Sequence, residues 1–471
     1  MKLSVKHRLN FYRVLFVLII LAGVFQAGSY IQQTKNRPDL HRLYMQSTYV
    51  SDQPPVVFIH GVTGSKLRHA ESGAELFPGS FSRIITSHYS DLGFDIDPET
   101  LEPVDDGIEA YEVNDSIFGQ DFYGKIIRTL ADVGGYVLTM PGQAVNDNKK
   151  RYYNFYYDWR QDNAKSASRL ADFIDQIRSD YAKPDLKVDI VAHSMGGLIT
   201  RYYIRYGRED VLDDNDFPVN MYGGERVRRV ILLGTPNLGS VKMLNVFIDG
   251  LKIGGTEKIF SETLATMPSM FQLLPHALVN WIVNSKGEQL DRDIFDVEIW
   301  RRFQWSIFDP KARERIASRF DSKQEAEEYF DVMERYFEKR LERARRFVWS
   351  LTVPLPEQHP KLIVFGGACH LTPARIVVEE VDSISMVRMY PHEITQPVAN
   401  VNYDHLLLEP GDGAVTKASL LGRDVLDPAV ARHKYNFFPL DHSVLLCEKH
   451  KNLTGNINFQ DNLLNELLSR D

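Results

Sequence analysis

Cysteine is nearly absent: Cys369 and Cys447 are the two in 471 residues. No disulfide framework is possible, one bridge is the most the chain can form, and the number does not identify a redox compartment. A surplus of basic charge is missing too. With 55 Lys+Arg against 63 Asp+Glu the net charge is −8, which argues against nucleic acid as the main partner, because phosphate binding draws on a positive field. Metal-ligand spacing is lacking as well. Asp95, Asp97, Asp105 and Asp106 cluster without the regular oxygen spacing of a calcium loop and read as a solvated loop. Long apolar runs are missing with one exception, VLFVLIILAGVF (Val14 to Phe25), which follows Lys2, Lys6, Arg8 and Arg13 and continues with little interruption to Ile31. That length comes close to the roughly 20 apolar residues of a membrane span, and no polar face marks it as a core helix. Residues 1–31 read as a signal anchor or signal peptide. The cleavage pattern Ala27-Gly28-Ser29 is poor beside Phe25 and Gln26, which favours the anchor. In either case the positive flank stays cytoplasmic, leaving the rest membrane-anchored and extracytoplasmic, or secreted.

What is present is a globular composition, 44% hydrophobic and 25% charged, with enough chain for a large core and a sizeable insertion. The most informative stretch is KVDIVAHSMGGLITRYY, Lys187 to Tyr203. A β-branched run stops at small residues around Ser194, and a helix-competent segment begins after Gly196 and Gly197. The pattern Ala192-His193-Ser194-Met195-Gly196 is a G-x-S-x-G elbow with alanine for the first glycine. Small residues let strand and helix approach closely while a strained turn lifts the serine hydroxyl above the sheet edge. Upstream, Val56 to His60 is an apolar run fitting a buried parallel strand. It ends in His60-Gly61-Val62-Thr63-Gly64, whose glycines let backbone amides turn outward. The N–H groups of Val62 and Met195 are the candidate oxyanion donors.

The rest of the chain organises around these two turns. Residues 32–54 read as a polar tether, and residues 66–135 show few clear elements. Tyr136 to Met140 and Arg151 to Tyr157 read as strands, and Leu170, Phe173, Ile174, Ile177 and Tyr181 recur at helical spacing. Val230 to Leu233 gives another strand. Strands alternating with helices imply a mostly parallel sheet with right-handed crossovers and a site at the carboxyl ends of the strands. Residues 240–350 contain no convincing strand but carry amphipathic and aromatic segments, including a charge-laced helix from Lys323 to Val348 with Phe330, Met333, Phe337 and Leu341 on one face. The expected architecture is therefore an α/β-hydrolase core over residues 55–239 and 351–471, interrupted by a helical cap at 240–350. Most of the cap's apolar residues pack its own interior, and some line an acyl pocket against the core.

Late in the chain, Lys361 to Phe365 resumes the sheet, short β segments follow near Val377 to Val381 and Ser385 to Tyr390, and Gly411-Asp412-Gly413 places an acid between glycines. Tyr435 to Leu440 reads as the last strand, followed by Asp441-His442-Ser443. Serine is a weak nucleophile, so a histidine must take its proton and a carboxylate must orient that histidine. The order Ser194, Asp412, His442 matches the order of an α/β-hydrolase triad. His370, His392, His405, His433 and His450 compete for the base; a place after the last strand selects His442. Among acids, Asp404, Asp427 and Asp441 compete, and Asp441 is too close in sequence to His442 to reach its ring nitrogen.

The set VVFIHGVTGSKL, NFYYDWR, VAHSMGGL, LLGTPNLGS, PSMFQLLP and GDGAV with a late histidine resembles the lecithin:cholesterol acyltransferase family, which includes lysosomal phospholipases and phospholipid:diacylglycerol acyltransferases. The resemblance runs from about Pro55 to the last strand. It implies a lipid esterase that acylates its own serine and passes the acyl group to water or an alcohol at a membrane surface, with no cofactor, metal or obligate protein partner. It also implies Ser194, Asp412 and His442 as the triad, Val62 and Met195 as oxyanion donors, and Gly61 with Asp158-Trp159-Arg160 as residues shaping the site. His60-Gly61 stands where several relatives have Pro-Gly, and the cysteine pair that closes a lid loop in secreted members has no counterpart. Two other functions fit the same residues: an esterase or thioesterase for soluble substrates, and a membrane-tethered lipid-binding protein with an idle triad.

Overall fold

The computed structural model describes residues 38–45, 53–117, 120–253, 256–382, 384–422 and 439–469. The apolar segment at 1–31 and residues 435–438 of the strand expected at Tyr435 to Leu440 lie outside that set. Among the described residues no helix is long and apolar enough to cross a membrane.

Seven strands form one sheet: β1 (Val56–Ile59), β2 (Val137–Leu138), β3 (Arg151–Phe155), β4 (Val188–His193), β5 (Val227–Leu233), β6 (Lys361–Gly367) and β7 (His442–Leu446). Their spatial order is β7-β6-β5-β4-β1-β3-β2, and every pairing is parallel. Chain order reverses on either side of β1 and β4, the kind of switch point at which open parallel sheets place their sites. Both central strands are buried along their whole length. This is why VVFI and VDIVAH read as near-continuous apolar runs rather than alternating ones.

Period-2 geometry sends alternate residues of each strand to opposite faces. Val57, Ile59, Ile190 and Ala192 join one apolar cluster, while Val56, Phe58, Val191 and Ile231 join another. Helix α1 (Asn163–Asp180), capped by Asp162 accepting from Ala164 N at 2.8 Å, presses Leu170, Ile174 and Ile177 onto the first face. Helix α2 (Met195–Tyr206) is buried on that face throughout. Helix α3 (Lys323–Ser350) starts at a Ser322/Glu325 capping box and carries the inserted region, and helix α4 (Ile457–Leu468) covers the opposite face with Phe459, Leu463 and Leu467.

The insertion shares the first cluster with the sheet rather than forming a separate core. Phe247, Phe271, Trp300 and Phe337 interlock there, with Trp300 and Phe337 ring centroids 5.1 Å apart. Nor is it purely helical. Leu251–Ile253 and Thr256–Ile259 form an antiparallel pair, and Ile282–Asn284 runs parallel to Ile376–Val381 across the boundary expected at residue 350. Residues 66–135 are also more ordered than their sequence suggests: Ser65–His69 lies between Glu75–Phe77 and Ile108–Val113 in a small antiparallel sheet.

Candidate active site

Ser194 sits between β4 and α2 with φ 55° and ψ −123°, a conformation that costs a non-glycine residue on the order of 1–3 kcal/mol and persists only where surrounding structure holds it. The hold comes from both sides. Ser194 N donates to Leu233 O of β5 at 2.8 Å, and the helix behind it packs so closely that a Cβ on Gly196 would collide with the carbonyl of His60 and one on Gly197 with the side chain of Thr235. The small residues after the serine are thus needed for contact between the two loops and the helix start.

His450 Nε2 lies 3.0 Å from Ser194 Oγ, and His450 Nδ1 lies 2.8 Å from Asp412 Oδ2. Asp412 is nearly fully buried. Its other oxygen accepts from Ala414 N at 2.9 Å and Val415 N at 2.7 Å, while its own carbonyl accepts His450 N at 2.9 Å. One turn therefore fixes both the carboxylate and the backbone of the histidine. Burial opposes the Asp412 charge, but His450 and the two amides overcome it and hold the carboxyl below its usual range. Burial likewise opposes charge on His450, and Asp412 more than compensates, raising the imidazole above its usual 6.5. A base must be neutral to accept a proton, so kcat/KM is expected to fall about tenfold per pH unit on the acid side of a limb centred above 6.5. A pH-rate profile on a soluble ester checks this; a limb centred below 6.5 contradicts it.

The structure does not bring His442 to the serine, which corrects that expectation. His442 is the first residue of β7, in register with Ile363, and its Nε2 faces Glu466 Oε1 at 3.2 Å. The serine and the acid lie at the carboxyl ends of the strands. Four residue steps along β7 separate its two ends, about 13 Å at the rise of a parallel strand. The last described strand, β7, opens at His442 and runs on past the strand expected at Tyr435 to Leu440, of which residues 435–438 lie outside the described set. YNFFPL carries Pro439, which cannot donate to a ladder, whereas Val444-Leu445-Leu446 is a clean apolar run, and His450 is the histidine that follows it.

Gly61 brings the first turn against Ser194. A Cβ there would stand 2.8 Å from Ser194 Cβ and 3.3 Å from Oγ. Gly61→Ala is expected to displace the turn or the serine and lower kcat by about 10²-fold, the scale of a misplacement near 1 Å; steady-state kinetics on folded protein check it. Gly61 N donates to Tyr123 Oη at 2.9 Å and Gly64 N to Gly61 O at 3.1 Å. The next amide, Val62 N–H, and that of Met195 at the start of α2 donate to no acceptor among the described residues.

Asp158-Trp159-Arg160 lies beneath this region. Arg160 is fully buried and pairs with Asp158 and Asp106, each at 2.7 Å, with its guanidinium 4.3 Å from the centre of the Phe94 ring. Trp159 packs edge-on against Phe77, and its carbonyl accepts Ser269 Oγ at 2.6 Å. Ser269 N donates to Arg160 O. The motif thus braces the core against the PSMF segment of the insertion, and it connects to the first turn through Tyr157, whose N–H donates to His60 Nε2 at 3.3 Å and whose ring stacks on His60. The acidic loop serves the same bracing: Asp106 holds Arg160, and Asp97 Oδ1 caps the turn at Glu99 and Thr100. Cys369 and Cys447 are free, exposed thiols in mutual contact just past the ends of β6 and β7.

A parallel sheet wound in this order, with a serine on a strand-to-helix elbow and a histidine and an aspartate at the same sheet end, is the architecture of the α/β hydrolases. The lecithin:cholesterol acyltransferase family model matches residues 147–417, more than half of the chain. The chain belongs to that family, which supports a lipid acyl hydrolase or acyltransferase of the α/β-hydrolase type. The matched stretch contains Ser194 and Asp412 but stops short of His450, so it is geometry that finds the histidine. Among solved structures, the Tle4–Tli4 complex includes a chain 14% identical at a TM-score of 0.53, covering 89% of this chain and 98% of the other. That likeness is one of fold. Bacillus licheniformis lipase BlEst2 in its mature form aligns at 12% identity and TM-score 0.34 over 90% and 95% of the two chains. Lipase 1 from Pelosinus fermentans aligns at 12% and 0.35 over 89% and 100%.

Proposed function

We propose that this protein is a serine-dependent lipid acyl hydrolase or acyltransferase with Ser194 as nucleophile, His450 as base and Asp412 as the acid that orients it. The observation that carries the reading is the continuous hydrogen-bond chain from Ser194 Oγ through His450 to Asp412 in a chain of this family. Attack of Oγ on an acyl carbonyl transfers its proton to His450 Nε2. Asp412 stabilises the resulting imidazolium, and the tetrahedral oxyanion accepts Val62 and Met195 N–H. His450 then gives the proton to the departing alcohol, leaving an acyl group on Ser194. The same histidine activates water or a second alcohol for the reverse attack, which yields free fatty acid or a new ester.

The substrate in this reading is a phospholipid at a membrane surface, and the apolar run at Val14 to Phe25 supports a catalytic domain tethered to that surface on its extracytoplasmic side. The test uses the full-length chain reconstituted with liposomes of defined phospholipids plus a sterol or diacylglycerol, with products read by mass spectrometry against Ser194→Ala. Serine-dependent lysolipid is the expected result, and an acylated sterol or triacylglycerol beside it makes the protein a transferase. No lipid product, with hydrolysis of short soluble esters intact, would overturn the lipid substrate in favour of a carboxylesterase.

A further inference from the structure

Tyr123 is far from the catalytic segments in sequence, yet its hydroxyl joins two of them. It accepts Gly61 N–H at 2.9 Å and meets His193 Nδ1 at 2.8 Å. The ring is buried and held edge-on against Phe58, Phe122 and His193, with centroids 5.2, 4.9 and 5.5 Å away. A phenol has one proton. With the oxygen already accepting from Gly61, that proton finds an acceptor only if it is donated to His193 Nδ1, which puts the imidazole proton on Nε2. Burial keeps both groups neutral: it raises the Tyr123 hydroxyl, and with the neighbouring His450 it pushes His193 down to about 3.

We propose that Tyr123 is a positioning residue for the oxyanion site, with His193 as its proton acceptor. The inference rests on the acyl-enzyme reading above and goes beyond it. The two amides that must converge on one oxygen come from separate loops, after β1 and after β4. Tyr123 ties the first loop, through Gly61, to the residue immediately before the nucleophile. With Gly61 N–H occupied, the following amide, Val62, is the one left to serve an oxygen bound at Ser194. Without the hydroxyl, Gly61 N–H becomes a buried donor with no acceptor, and a turn that rotates to recover one carries Val62 with it.

The test compares the full-length chain with Tyr123→Phe on p-nitrophenyl butyrate and on an alkylboronic acid, which forms a tetrahedral adduct with the serine and reports the oxyanion site directly. Tyr123→Phe is expected to lower kcat by about 10- to 100-fold, at or below the roughly 10²- to 10³-fold loss that follows outright removal of one oxyanion donor, with KM within about threefold and boronate affinity weakened in parallel. A tyrosine that only supported the fold would lower the thermal midpoint while leaving kcat per folded molecule and boronate affinity at wild-type values, which would overturn the proposal. Should Tyr123→Phe fail to fold, His193→Leu removes the proton acceptor with the phenol in place. It is expected to lower kcat about tenfold, and His193→Asn, whose carboxamide oxygen stands in for Nδ1, is expected to recover most of that loss. Equal losses in the two His193 variants would also overturn it. Wild-type protein that neither turns over the ester nor binds the boronate would instead overturn the hydrolase reading.

Discussion

Ser194→Ala is expected to reduce ester turnover by about 10⁶-fold with KM little changed. That is the scale seen when the nucleophile of a triad is removed and the oxyanion donors and binding surface remain. The reason lies in the geometry. Oγ is the group within 3.0 Å of His450 Nε2, and the backbone at φ 55° that presents it is held by β5 and the first turn, not by the hydroxyl. Alanine adopts that conformation at a similar cost, so the variant should fold and keep its thermal midpoint. Turnover measured on folded variant checks this; activity within tenfold of wild type would remove Ser194 from the mechanism.

His450→Ala is expected to cost nearly as much, and His442→Ala almost nothing. His450 is the side chain that touches both Ser194 and Asp412, and residues that act as a unit lose their contribution together, so Ser194→Ala/His450→Ala should be no slower than either single variant. His442 is two-fifths exposed and touches Glu466, which also faces Arg229 at 3.5 Å and Lys361 at 3.3 Å. Its loss leaves Glu466 paired, and a surface change of this kind stays within about 0.5 kcal/mol of stability. Parallel kinetics on the two single variants check the prediction. Retained activity in His450→Ala with loss in His442→Ala would reverse the assignment.

The two histidines also show what could be read from the sequence. Elements whose partners are local were legible: the apolar strand, the small residues and the helix around Ser194 are adjacent in the chain, and Gly411-Asp412-Gly413 announces a tight turn holding an acid. His450 was not, because the choice of histidine depended on where the last strand ends. The relevant signal was Pro439 set against Val444-Leu445-Leu446. Tyr123 carried no local signal at all, since its partners Gly61 and His193 are 62 and 70 positions away. The small sheet at Ser65–His69 escaped because its middle strand buries a single large apolar side chain, Leu67, and because the register shifts put extra residues in the flanking strands, so that Ala110 and Val113 are buried three positions apart rather than two. Ile282–Asn284 was too short to show a period. The apolar faces of α1 and α3 were legible because helical spacing survives in sequence wherever one face is buried.

The most direct measurement of the acyl-enzyme account is site mapping with a fluorophosphonate, which phosphonylates an activated serine. Full-length wild-type protein and the His450→Ala and His442→Ala variants are incubated with the probe, digested and read by mass spectrometry. The account predicts stoichiometric label on the peptide carrying Ser194 in wild type and in His442→Ala, and label slowed by orders of magnitude in His450→Ala. Label on another serine, or undiminished label at Ser194 in His450→Ala, would contradict it.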